Sequence, residues 1–279
     1  MSERKRIIRV FPRKTNATPD DEWVRFGPPS MFDEADEVHI SVVFTWDIPY
    51  AEWLVEQWRG VAPVKMGGPA LEDRGGDFEP GMYLKRGYTI TSRGCPNRCW
   101  FCNVWKNEGG IREIPICDGW NIVDSNLLAC SEKHIREVFE MLNGQRGVLF
   151  SGGLEAARLR EWHVELLGKI RLRQAFFAYD TPNDLEPLQR AGAMLLNAGI
   201  SQSKLYAYVL IGYPKDTFAS AERRLCETWA AGFMPFAMLY RDEGGKYDKS
   251  WRRFQRQYAR PAITRSLLTV GGPISGGGE

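Results

Sequence analysis

The sequence predicts an α/β protein: a parallel sheet, open or curled into a partial barrel, with a small βαβ module in front of it. Three observations carry that expectation. From residue 88 onward, β-branched and aromatic runs alternate with helical patterns, with strands expected at 88–92, 121–124, 147–151, 175–179, 205–211 and 235–239 and helices near 131–143, 156–172, 184–198 and 217–231. Strands separated by helices pair in parallel, because the crossover needs the helix. Gly144, Gly199 and Gly232 stand where three of those helices should stop. The chain also has material for a core, with 279 residues, 43% hydrophobic and 26% charged.

The elements follow in order. Residues 1–37 read as an irregular lead-in, basic at first and then interrupted by Pro19-Asp20-Asp21-Glu22 and Gly27-Pro28-Pro29. Val38-His39-Ile40-Ser41-Val42-Val43-Phe44 is a strand signal. Asp47 can N-cap a helix with Pro49 in its first turn, running to about Arg59 with Ala51, Leu54, Val55 and Trp58 on one face. Pro63-Val64-Lys65-Met66 reads as a second strand, stopped by Gly67-Gly68-Pro69. The expected organisation is therefore a lead-in at 1–37, a βαβ module and linker at 38–87, the α/β body at 88–240, and a basic aromatic extension with a Gly-rich, mobile tail at 241–279. Chemistry in such a body belongs at the carboxyl ends of the strands.

Charge excludes less than it first suggests. The formal charge of +2 averages two basic ends, residues 1–14 and 246–265, over an acidic middle. No apolar run reaches the roughly 20 residues that span a bilayer, and the N-terminus lacks a signal-peptide core, so no membrane partner is expected and the compartment should be the reducing cytoplasm. Composition sets no oligomeric state.

The six cysteines lie at 95, 99, 102, 117, 130 and 226. Three within eight residues are not a disulfide framework, and in a reducing compartment they point to metal or redox chemistry. The segment Gly94-Cys95-Pro96-Asn97-Arg98-Cys99-Trp100-Phe101-Cys102 has the spacing C-x3-C-x2-C directly after the first body strand. Three thiolates can hold three irons of a [4Fe–4S] cluster and leave the fourth open to a small molecule. A structural zinc site is the alternative, with Cys117 or Cys130 as a fourth ligand, but no paired knuckle is present.

In motif and strand context the chain resembles the radical SAM superfamily, over about residues 88–240. The resemblance implies a partial (βα)6 radical SAM barrel, with Cys95, Cys99 and Cys102 as cluster ligands and Phe101 as the aromatic residue before the third cysteine. It implies S-adenosylmethionine on the open iron, reductively cleaved to a 5′-deoxyadenosyl radical that abstracts hydrogen from substrate. It also implies a flavodoxin-type or other low-potential electron donor. Asp124 and Asn126, after the second strand, are the candidates for the SAM amino group. Gly152-Gly153-Leu154-Glu155 resembles the family's Gly-Gly-Glu motif, yet follows the third strand rather than the second; Gly152 and Gly153 read equally as a plain tight turn. Asp180, ending the fourth strand, is a candidate for the ribose or amino group, or an N-cap. Ile211 opens a turn similar to the family's Gly-x-Pro-Gly-Glu-Thr segment against the adenine, with Lys215 and Asp216 where Gly and Glu are usual.

The remaining cysteines narrow the subclass. No cysteine precedes Cys95 and only Cys226 follows Cys130, which excludes the methylthiotransferase pattern and auxiliary-cluster enzymes. The 38–70 unit resembles a shortened cobalamin-type module, but the Asp-x-His-x-x-Gly motif is absent, His39 reads as a strand residue, and no cobalamin is expected. The chain most resembles small bacterial and phage radical SAM proteins, a group without a firmly assigned substrate. Cys130 is a candidate hydrogen donor or a small buried hydrophobe, and Cys226 reads as core packing. Lys246, Lys249, Arg252, Arg253, Arg256, Arg260 and Arg265 alternate with Trp251, Phe254 and Tyr258. That pattern reads as a helix with an aromatic packing face, or as a nucleic-acid contact in which aromatics stack on bases. A nucleotide or nucleic-acid base is the substrate the basic ends suggest; a peptide or small metabolite, or a zinc-dependent nucleic-acid-binding protein, are the alternatives.

Overall fold

The computed structural model describes residues 5–258 and Thr264. The chain divides into two compact units between Gln145 and Arg146. In the first, β1 (Ile7–Val10), β2 (Val24–Arg25), β3 (Glu37–Ser41) and β4 (Val64–Gly67) form a parallel sheet in the order β2-β1-β3-β4. Alternation along the strands puts Ile8, Val10, Val38, Ile40 and Val42 into one core with Ala51, Leu54 and Trp58 of α1 (Ile48–Trp58). Trp58 is fully buried, and its indole N–H donates to the Gly27 carbonyl at 2.9 Å. The other sheet face is polar and is met by the segment at 71–86. There Arg9 donates to the carbonyls of Gly81 (2.7 Å) and Met82 (2.9 Å), and His39 Nδ1 lies 2.7 Å from the Tyr83 hydroxyl.

The same unit continues with β5 (Tyr88–Thr89), β6 (Ser92–Arg93), α2 (Val104–Asn107), β7 (Arg112–Glu113), β8 (Asn121–Ile122) and α3 (Glu132–Asn143). β5 pairs with β8 in parallel, and β6 with β7 antiparallel. Ser131 caps α3 by accepting from the His134 amide, and Ile135, Val138, Phe139 and Leu142 form its buried stripe.

The second unit repeats strand and helix: β9 (Val148–Phe150), α4 (Glu161–Lys169), β10 (Leu172–Ala178), α5 (Leu185–Asn197), β11 (Leu205–Ile211), α6 (Phe218–Ala230), β12 (Met234–Leu239) and α7 (Lys249–Gln257). The four strands are parallel, in the order β9-β10-β11-β12. Ala175, Phe177, Ala207, Val209 and Ile211 are fully buried, as are Leu188, Ala191 and Leu195 of α5 and Ala221 and Leu225 of α6. The α/β class with parallel sheets is thus as the sequence predicts.

Several local expectations are corrected. The lead-in contains β1 and β2, because Arg9 is neutralised by Asp21 and by two carbonyls and so fits within a strand. Asp47 does not cap α1: its carboxylate takes a two-point pair from Arg13, at 2.8 and 2.7 Å. The helix expected over 156–172 is split. Ala156–Arg158 is a single 3-10 turn, and α4 starts only at Glu161, after Arg160 turns extended and His163 accepts from its amide. Cys226 is exposed on α6 rather than packed in the core.

On α7, the aromatic face packs inward. Phe218 lies 4.4 Å from Trp251 and 5.3 Å from Phe254 between ring centres, and the Tyr258 hydroxyl donates to Glu222 at 3.0 Å. Trp251 and Tyr258 retain only 8% and 6% exposure, so neither ring is open to stack on a base. Arg260, Arg265 and the Gly-rich tail lie outside the described residues.

Lys215 sits at φ +72°, where an L side chain is strained and glycine is not. This is the position at which the resembled turn carries glycine. Lys215→Gly is expected to stabilise the protein by about 0.5–1 kcal/mol, read as a higher urea midpoint at unchanged slope; a lower midpoint would contradict the assignment of strain.

Candidate cysteine-loop site

The cysteine loop is held at its base by a network that runs outward from one buried carboxylate. Asp124, 1% exposed, accepts from the Thr91 amide (2.7 Å), the Thr91 hydroxyl (2.6 Å) and the Ser92 hydroxyl (2.7 Å). Burial pushes its carboxyl above the ordinary range. His134, also buried, brings Nε2 to 3.3 Å from the Thr91 hydroxyl and Nδ1 to 3.9 Å from Glu113, which accepts from the Ser131 amide. Asp124 therefore fixes the chain three residues before Cys95. Its oxygens are taken up by the Thr91 and Ser92 donors.

Gly94 follows, at φ +81°. A Cβ there would lie 2.3 Å from the Gly110 carbonyl oxygen, so only glycine lets the loop pass its own return segment. The Gly94 amide donates to Glu108 at 2.7 Å, the Cys95 amide to Gly109 at 3.1 Å, and the Cys102 amide to the Cys99 carbonyl at 3.1 Å. Trp105 donates to the same Cys99 carbonyl at 3.2 Å. Phe101 is half-buried, edge-on to Trp100. Two of the predicted site residues meet directly: the Asn126 amide donates to Cys95 Sγ at 3.5 Å.

The donor set fits the cluster implied by the resemblance. Cys95, Cys99 and Cys102 are all partly exposed on one loop, and an N–H aimed at a ligand sulfur is the kind of contact that tunes an iron–sulfur centre. Among the described residues, no three or more His, Cys, Asp or Glu side chains are gathered as a metal-holding group. Cys130 differs in kind. Burial pushes its thiol up to about 12, with a Ser92 hydrogen bond acting in the opposite direction, so it keeps its S–H at neutral pH. A protonated thiol is a poor metal ligand and an available hydrogen donor. Cys117 donates to the Phe78 carbonyl at 3.5 Å.

The other candidates lie in the second unit. Gly152 and Gly153 form the turn after β9; Gly153 is at φ +99° with open space where a Cβ would stand. Glu155 accepts from Arg158 at 2.6 Å. Ile211 is fully buried at the end of β11. Asp180 does not cap the next helix. Thr181 and Asp184 do so with a reciprocal capping box, and Asp180 instead accepts from the Leu210 amide at 3.0 Å.

Burial, with the nearby Asp184 charge, raises Asp180 from 3.8 to about 7. A carboxyl raised on folding contributes stability below its unfolded value, and that contribution is lost as the pH rises through the folded value. Relative to Asp180→Asn, the wild type is expected to lose on the order of 2 kcal/mol between pH 4 and pH 7.5. Parallel pH profiles of urea stability would show instead that Asp180 is ionised throughout.

Sequence reasoning missed Glu108, Thr91 and Ser92, which support the loop without touching its sulfurs. It also missed a cleft of about 750 Å³ lined wholly by residues of the first unit, between Ile7 and Ser125. No helix among the described residues is long and apolar enough to cross a membrane. Compared with known proteins, the chain matches no protein-family model and has no significant match among curated proteins.

Proposed function

We propose that the protein is a radical SAM enzyme acting on a small molecule, with Cys95, Cys99 and Cys102 holding a [4Fe–4S] cluster in a partial (βα)6 barrel and a low-potential donor such as a flavodoxin supplying electrons in the reducing cytoplasm. The observation that carries this reading is the C-x3-C-x2-C loop itself, carried on Gly94, with Asn126 directed at Cys95 Sγ. When bound, the cluster supplies the electron that cleaves S-adenosylmethionine, and the resulting carbon radical takes hydrogen from the substrate.

The protein's own residues divide the remaining work. Asp124, Thr91 and Ser92 anchor the start of the loop, while Glu108 holds the Gly94 amide. Asn126 donates to the first ligand sulfur. Cys130 keeps a proton on sulfur, beside Ser92, where it can return a hydrogen to a product radical.

Two observations favour a small molecule over nucleic acid. Four basic residues of the N-terminal segment are paired internally: Lys5 with Glu37, Arg6 with Asp36, Arg9 with Asp21 and Arg13 with Asp47. The aromatic face of α7 is covered. Bases therefore lose the stacking partners that the sequence offered them, while the exposed Lys249, Arg252, Arg253 and Arg256 of α7 still present charge to phosphates.

Anaerobic reconstitution tests the reading. The wild type is expected to turn brown and, with dithionite and S-adenosylmethionine, to release 5′-deoxyadenosine; Cys95→Ala, Cys99→Ala and Cys102→Ala should each lower iron content and deoxyadenosine at least tenfold. A colourless protein with stoichiometric zinc would establish the zinc-dependent alternative.

A further inference from the structure

The 750 Å³ cleft of the first unit falls within the roughly 300–1,000 Å³ range of small-molecule sites. One wall is the carboxyl edge of the parallel sheet, where Phe11 follows β1, Val43 follows β3 and Gly68 follows β4. Open parallel sheets bind ligands at this edge, since the helices and strands leave a crevice there. The lining also includes Ser92, Arg93, Glu108 and Ser125. Ser92 belongs to the Asp124 network, and Glu108 holds the amide next to Cys95. The cleft thus reaches the support of the cysteine loop.

We infer that this cleft is the substrate site and that it takes a small, largely apolar molecule carrying an amine. It rests on the radical SAM reading for calling the ligand a substrate, and on the cleft alone for the ligand's chemistry. Apolar residues, including Ile7, Phe78, Met82 and Leu84, make up most of the lining. The charged lining among the described residues is four carboxylates, Asp73, Asp77, Glu79 and Glu108, against two cations, Lys65 and Arg93. Lys65 is ion-paired with Glu37 at 2.7 Å, whereas Arg93 donates to the Gly76 carbonyl at 2.9 Å and keeps its charge, which leaves the lining with a net excess of carboxylates. A phosphate or carboxylate entering here meets like charge, whereas an ammonium meets complementary charge at the rim while its apolar body is buried.

Binding of matched probes to the full chain, measured by calorimetry, tests this directly. Tryptamine and phenethylamine are expected to bind at least tenfold more tightly than indole-3-acetate, phenylacetate and phenyl phosphate. Val43→Trp, at a position 42% exposed on the cleft wall, should weaken amine binding at least tenfold. Asp77→Asn, at an exposed rim position, should narrow the gap between amine and carboxylate without disturbing the fold. Equal or tighter binding of the anions, no amine binding up to millimolar concentration, or amine binding unaffected by both variants overturns the inference. Because probe binding needs no iron, its failure is separable from failure of the enzymatic reading, which the deoxyadenosine assay reports on the same preparations.

Discussion

Asp124→Ala is expected to cost about 3–5 kcal/mol of stability and to abolish iron loading under conditions that load the wild type. The substitution strands the Thr91 amide, the Thr91 hydroxyl and the Ser92 hydroxyl in a site without solvent, where each unmet donor costs about 1–3 kcal/mol. The hydroxyls can rotate toward other acceptors; the amide cannot, so the loss falls short of the sum. Asp124→Asn separates structure from charge. Its carbonyl can accept from the Thr91 amide while its NH2 donates to the two hydroxyl oxygens, so a loss of only about 1 kcal/mol is expected, with iron loading retained. Urea denaturation and iron analysis of the two variants check this. An alanine variant that loads iron normally would show that the loop does not depend on its anchor.

Asp216→Ala should be comparably severe in the second unit. Asp216 has a fully buried side chain and accepts from the Gly212 amide (2.8 Å), the Thr217 amide (3.0 Å) and Arg224 (2.9 Å). Arg224, 5% exposed, also donates to the Leu210 carbonyl and the Ser220 hydroxyl, and stands over the Tyr213 ring. Removing the carboxylate leaves a buried cation unneutralised, which costs about 3–5 kcal/mol. Asp216→Leu with Arg224→Met removes both charges together and should lose less than the sum of the single losses, by about 1–3 kcal/mol. Chemical denaturation of the four proteins in the cycle measures that coupling; strict additivity would mean the pair carries no interaction of its own.

The long periodic elements were the legible part of the sequence. β11, α5 and α6 fall where the residue pattern puts them, because seven or more residues of alternation or helical spacing leave little ambiguity. Two of the failures share a cause: a charge whose partner is distant in sequence. Arg9 breaks the apolar run of β1, and only Asp21 and the carbonyls of Gly81 and Met82 make it acceptable there. Asp47 looks like a cap until Arg13 claims it. In the candidate site the cysteines could be found from spacing and Asn126 only through the family resemblance, whereas the direction of the Asp124 carboxylate could not be found from either. Glu108 carried no signal, since an acid fourteen residues past a glycine follows no local rule. The cleft was invisible because its walls are assembled from residues spread between Ile7 and Ser125.

The confinement of the cysteine loop, its hydrogen-bonded support and the cleft to the first unit has a consequence for biosynthesis. At roughly 5–20 residues per second, the ribosome completes residues 1–145 roughly ten seconds before it adds residue 258. During that interval the thiols of Cys95, Cys99 and Cys102 exist on a chain that already holds Asp124, Glu108 and Asn126, and still lacks the strands from β9 onward. The proposed cluster ligands and the residues that support them are thus complete in the chain before the second half is synthesised.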